Sequence, residues 1–179
     1  MPRQPAEQVI TEWINRDWYQ NKDRTLSTTV LEKYMKAVLE VAGADGVITD
    51  AERKWVLGLA AAHGIGKDEI DALKSYKLGS EDATSIFNND SKLKTAEHYQ
   101  NELIYNGLRA AAADGVLKQR EIDGISALAK KLGITDEKFQ EILAFYKEEE
   151  EERQKRIALL FPTKPYGDTI KAIDTHYAK

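Results

Sequence analysis

LEVAGADGVITDAERKWVLGLAAAHGIGKDEIDAL, residues 39–73, decides the fold, because its pattern returns as LRAAAADGVLKQREIDGISALAKKLGITDEKFQEI, residues 108–142. Eleven of the 35 aligned columns are identical. The run Ala-Asp-Gly-Val stands in both copies at the same distance from a Glu (Glu52, Glu121) and from a Gly-Ile pair (Gly64-Ile65, Gly133-Ile134). Each copy reads as helix, Asp-Gly loop, helix, Gly-Ile stop, helix. Two copies of one such unit are expected to pack about a pseudo-twofold axis and share their apolar faces.

Outward from the repeat, the chain stays helical. All four prolines lie near the ends (Pro2, Pro5, Pro162, Pro165), which leaves a long interior free of helix breakers. From Ala6 to about Asn21, Val9, Ile10, Trp13, Ile14 and Trp18 recur at helical spacing and predict one apolar stripe to be buried. Thr29-Val-Leu-Glu32 reads as a capping box that opens a second helix, which ends at Gly43 to Gly46. A third helix starts at Thr49 or Asp50 and stops at Gly64, and a short fourth follows from Lys67 to about Tyr76. The segment 78–93 reads as a connector with one helical turn, anchored by Ile86 and Phe87. Helical spacing resumes from Thr95, again over 119–132, and after Thr135 in a long helix. No stretch alternates as a half-buried strand does, so the class is all-α: a helical bundle of two repeats with added terminal helices. The organisation is one domain: an aromatic amino-terminal helix and loop (6–29), repeat 1 (30–77), the connector (78–93), repeat 2 (94–147), and a helical extension and tail (148–179).

Composition sets the outer limits. With 179 residues, 26 Lys+Arg against 30 Asp+Glu and no cysteine, the chain can bury a core without disulfide or zinc staples. Its mild acidity argues against nucleic acid. No apolar run reaches the roughly 18 residues of a membrane span, and the first residues lack a signal-peptide pattern, so cytoplasmic location and no direct membrane insertion are expected.

Two copies of the Asp-Gly junction, AGADGVITDAE (Ala42 to Glu52) and AAADGVLKQRE (Ala111 to Glu121), each ahead of a helix ending in Gly-Ile, resemble the TerB-like family. This is the helical domain of tellurite-resistance proteins, also found in a membrane-anchored J-domain co-chaperone. The resemblance spans roughly residues 30–147. It implies a compact, non-catalytic helical module associated with stress-response or membrane-linked complexes, with divalent cations at the acidic loops. The function expected on this ground is protein interaction, with a protein partner or as a homo-oligomer.

The loops themselves match the back half of an EF-hand. There, an Asp before the invariant Gly supplies one oxygen and a Glu six residues beyond Gly supplies two. The two earlier ligand positions are Val41 and Gly43 in one copy and Ala110 and Ala112 in the other, which offer no carboxylate. A Ca2+ or other divalent site would therefore be weak and built from Asp45, Asp50, Glu52, Asp114 and Glu121 with loop carbonyls and water. The competing reading makes the same residues structural: Asp45 as a turn acceptor, Thr49 and Glu52 as a capping box. In the second copy Lys118 replaces the Thr and cannot cap, although Asp114 and Glu121 remain.

Nothing points to an enzyme. His63, His98 and His176 are scattered without metal-ligand spacing, and no nucleophile elbow or phosphate loop occurs. In the run from Glu148 to Arg156, i,i+4 ion pairs are expected between Glu149 and Arg153, Glu151 and Lys155, and Glu152 and Arg156. Trp13, Trp18 and Tyr19 are expected either to fill the core or to form a ligand or partner surface. The alternative function is accordingly a carrier or sequestering protein for a small apolar ligand or pigment.

Overall fold

The structure, a computed structural model, describes residues 5–20, 27–89 and 99–177. Among them are nine α-helices and no strand: α1 (Pro5–Tyr19), α2 (Thr28–Ala42), α3 (Asp50–Ala62), α4 (Lys67–Ser75), α5 (Ala83–Asn89), α6 (Tyr99–Ala111), α7 (Gln119–Lys131), α8 (Asp136–Leu160) and α9 (Tyr166–Tyr177). The all-α expectation holds. The chain divides into two compact units, Met1–Ile142 and Leu143–Lys179.

In the first unit α2 is the central element and touches α3, α4, α5, α6 and α7. Met35, Ala37, Val38, Leu39 and Val41 are fully buried along it, so its apolar surface wraps most of the helix rather than one stripe. Its main neighbour is α6, which presents Leu103, Ile104 and Leu108. Gly107 brings the two helices close: a Cβ there would stand 2.1 Å from Val41 Cγ1. The second unit holds the carboxyl-terminal part of α8 and α9, with Phe161 packed edge-on against Tyr166 at 5.1 Å between ring centroids.

Both Gly-Ile stops have one geometry. Gly64 and Gly133 take φ of 77° and 84°, Ile65 N–H donates to Ala60 O, and Ile134 N–H donates to Ala129 O. Gly64 and Gly133 in turn donate to Ala61 O and Lys130 O. This double closure is the Schellman motif, and it needs a residue that accepts positive φ without strain.

Four expectations are corrected. The α2 cap is Ser27, without a side-chain cap bond, and not Thr29, which lies inside the helix. The connector is more than a turn: residues 83–89 form α5, which packs on α2 through the buried Ala83 and Ile86. The tail adds α9, because Pro165 sits just before the helix, where its missing N–H costs nothing. In α1, Val9, Ile10 and Trp13 are exposed (65, 45 and 59%), and the buried face is Thr11, Ile14 and Asn15. The apolar residues of α1 spread over about half the helix circumference at 100° per residue, so one neighbour cannot cover them all. Phe87, His98 and the residues from 90 to 93 lie outside what is described at side-chain level, as does His176.

Candidate functional site

The Asp-Gly loops are built from local bonds first. Asp45 Oδ1 accepts from Val47 N–H at 3.0 Å and Asp114 Oδ1 from Val116 N–H at 3.2 Å, so each Asp closes its own turn. One step on, Thr49 and Glu52 form the reciprocal capping box at the start of α3: Glu52 N–H donates to Thr49 Oγ1 at 3.2 Å, and Thr49 N–H to Glu52 Oε2 at 2.6 Å. At α7 half the box survives. Glu121 Oε2 accepts from Lys118 N–H at 2.8 Å, while the lysine side chain, having no acceptor, turns its ammonium to Glu121 Oε1 at 3.1 Å and Asp114 Oδ2 at 2.6 Å. Lys118 thus makes no side-chain cap, as its lack of an acceptor predicts, and instead neutralises the two carboxylates.

Tertiary packing supplies the remaining partner. Arg120 at the start of α7 reaches the loop of the other copy and pairs with Asp45 Oδ2 at 2.9 Å, where the Asp45 side chain is only 6% exposed. The approach is close because α7 carries Gly124 against that loop; a Cβ at 124 would stand 2.8 Å from both the carbonyl carbon and oxygen of Ala44. Glu52 and Glu121 are each 2% exposed. Burial raises the Glu52 carboxyl above its usual range; the Thr49 bonds oppose this, and the charges of Glu121 and Asp114 add to it. Asp114 is shifted the other way, chiefly by the Lys118 ammonium. The five carboxylates predicted as cation ligands are therefore placed as follows. Asp45, Glu52, Asp114 and Glu121 surround the two helix starts, each with protein donors, and Asp50 is exposed in the first turn of α3. Among the described residues no three His, Cys, Asp or Glu side chains stand together as a metal-holding group.

A second cluster lies where α1, α2, α3 and α6 meet. Tyr19 O–H donates to Glu102 Oε1 at 2.8 Å, and Asn106 Nδ2 donates to Tyr34 Oη at 2.9 Å. Burial raises the Glu102 carboxyl, with bonds from Tyr19 and Asn106 opposing it. The same burial and the nearby Glu102 charge hold the Tyr19, Tyr34 and Tyr99 phenols above their ordinary value. His63 caps α3 and lies 5.9 Å from the Tyr19 ring, where burial lowers its pKa. Beside them Arg109 is framed by aromatics, 5.4 Å from Trp18, 5.8 Å from Trp55 and 5.7 Å from Tyr105, and it donates to Tyr105 Oη at 2.9 Å. Of the predicted aromatic surface, Trp18 and Tyr19 join this cluster and Trp13 does not. Tyr34, Glu102, Asn106 and Arg109 were not singled out by the sequence reading. One signal was available, since Asn106 falls on the apolar face of α6 with Leu103 and Ala110.

Residues 31–144 match the sequence model of a family described as tellurite resistance protein TerB. The chain is similar to the crystal structure of a tellurite resistance protein from Nostoc punctiforme, at 30% identity and a TM-score of 0.79. That match covers 91% of this chain and 99% of the other, so it reaches beyond the residues matched by the family. No curated protein matches.

Proposed function

The chain belongs to the TerB family, and on that premise we propose that it is a non-catalytic helical module that holds a protein partner on the outer face of α1, in the setting of tellurite resistance and related stress. The observation that carries this reading is the outward placement of Val9, Ile10 and Trp13 on a helix whose opposite face is buried. Large apolar side chains grouped on a surface lose contact with water when a partner covers them, and tryptophan is the most frequent anchor of such contacts. Buried Asn106 and Tyr34 are engaged with each other, and Tyr19 with Glu102 at the edge of the same cluster, as suits a scaffold that presents a surface. The outward Trp13 suits a surface contact better than an enclosed apolar ligand. The double variant Ile10→Ser/Trp13→Ala should keep the circular dichroism and melting temperature of the parent and lose a partner co-purified from the source cells. Recovery of the same proteins with both forms would sink the reading.

Weak divalent-cation binding belongs to the same proposal as a minor component, supported by the raised Glu52 carboxyl beside Glu121 and Asp114. A cation there must displace Arg120 from Asp45 and Lys118 from Asp114, so the dissociation constant should be no tighter than about 10⁻⁴ to 10⁻³ M. Calcium should raise the melting temperature of Arg120→Ala more than that of the parent. Equal and absent shifts in both, at millimolar calcium, would leave the loops with capping alone.

A further inference from the structure

Arg109 is a half-buried cation without a carboxylate: it forms no ion pair with a described residue. Its company is instead Trp18 of α1, Trp55 of α3 and Tyr105 of α6, whose rings stand 5.4, 5.8 and 5.7 Å from its guanidinium. Three helices thus converge on one charge. The negative faces of the rings offset part of the cost of drawing that charge out of water, but a π face holds a cation without using its N–H groups.

A guanidinium carries five N–H donors in a fixed fork. Nη1 donates to Tyr105 Oη at 2.9 Å, which leaves the edge formed by Nε and Nη2 with no acceptor among the described residues. Among those residues no buried side-chain nitrogen lacks a hydrogen-bond partner, so this edge reaches solvent. What such an edge takes is seen elsewhere in the same chain. Arg153 Nε and Nη2 donate to the two carboxylate oxygens of Glu150 at 2.7 and 2.6 Å, a bidentate pair at i,i+3 where the spacing predicted Glu149.

We propose that the Nε–Nη2 edge of Arg109 binds the carboxylate of a small organic acid whose apolar, ring-bearing body lies against Trp18 and Trp55. The fork sets two donors side by side, which the two oxygens of a carboxylate match. Aromatic surroundings select against inorganic phosphate, because rings cannot replace the hydrogen bonds of its hydration shell. The site is separate from the outer face of α1: Trp18 follows Ile14 by one turn, on the buried side of that helix and away from Val9, Ile10 and Trp13. One ion pair and two ring contacts give a modest affinity, with a dissociation constant on the order of 10⁻³ M for an acid the size of benzoate.

Benzoate is the probe, titrated into the full chain at neutral pH and constant ionic strength while the arginine Nε–H resonances are followed by NMR. One of them, absent from the spectrum of Arg109→Lys, should shift and saturate. Arg109→Lys keeps the cation between the rings but loses the fork; with the circular dichroism of the parent, it should bind benzoate at least tenfold more weakly by tryptophan fluorescence. Trp18→Leu should weaken benzoate more than acetate, which has no body for the ring to meet. Benzamide, with the shape but not the charge, and phosphate, with the charge but not the shape, should leave the Arg109 resonance in place. A resonance that benzoate does not move, equal binding by Arg109→Lys, or an equal response to benzamide or phosphate would overturn the proposal. The parent titration decides even where a variant fails to fold, and none of these outcomes depends on what binds the outer face of α1.

Discussion

At the scale of single residues, Trp13 and Ile14 are neighbours with opposite environments. Ile14 is 4% exposed and Trp13 59%, although hydropathy alone would rank both as core. Ile14→Ala should destabilise by about 2 to 4 kcal/mol through lost burial and the cavity left behind. Trp13→Ala should change stability by no more than about 0.5 kcal/mol, the usual range for an exposed site. Urea denaturation of the two variants checks this, and a reversed order would mean that α1 is rotated from the placement described. Glu102 gives a second residue-level prediction. Its carboxyl, raised from an ordinary value of 4.5, holds its proton more tightly in the folded chain than in the unfolded one. The stability it contributes is therefore present at low pH and lost as pH rises from 4.5 through the raised value. Tyr19, Tyr34 and Tyr99 stay neutral across that window, and His63 titrates in parent and variant alike. Glu102→Gln, which stays neutral, should gain stability relative to the parent as pH rises from about 4 to about 8. Parallel pH profiles would show that the carboxyl does not titrate differently on folding.

At the scale of elements, two glycines inside helices should respond to alanine with opposite signs. Alanine is the better helix former by about 1 kcal/mol. At Gly58 in α3 nothing lies within 4 Å of a built Cβ, so Gly58→Ala should stabilise by about 0.5 to 1 kcal/mol. At Gly124 in α7 the new methyl meets backbone atoms of Ala44 at 2.8 Å, which cannot swing aside as a side chain would. Gly124→Ala should cost about 1 to 3 kcal/mol net of the propensity gain, and should loosen the Arg120–Asp45 pair by moving α7 from the loop. Thermal melts of both variants compare the two directions. The repeat alignment held a hint of this, because Gly124 is the counterpart of Trp55, the largest residue against the smallest. Helix stops were the most readable feature: Gly64 and Gly133 end α3 and α7 as their positions in the repeat predict. Helix starts were less so, since any Ser or Thr near the first turn can pose as the cap. That is how Thr29 displaced Ser27 in the sequence reading.

At the scale of the whole molecule, none of the described helices is long and apolar enough to cross a membrane, and the match over residues 31–144 places the chain in the TerB family. The sequence by itself determined what depends on neighbours within one or two turns. The helical class follows from apolar spacing, the Schellman stops from a glycine followed by isoleucine, and the α3 capping box from Thr49 and Glu52 three residues apart. Only the tertiary structure decided what depends on which helices meet. It joined Tyr19 to Glu102 across 83 residues and Asn106 to Tyr34 across 72, and it brought Arg120 to Asp45 of the other copy. It also chose the face of α1 to bury. Periodicity fixes where side chains point around one helix axis, but the partner that will cover them is set by packing distances between axes, such as the close approach at Gly124, which no local pattern specifies.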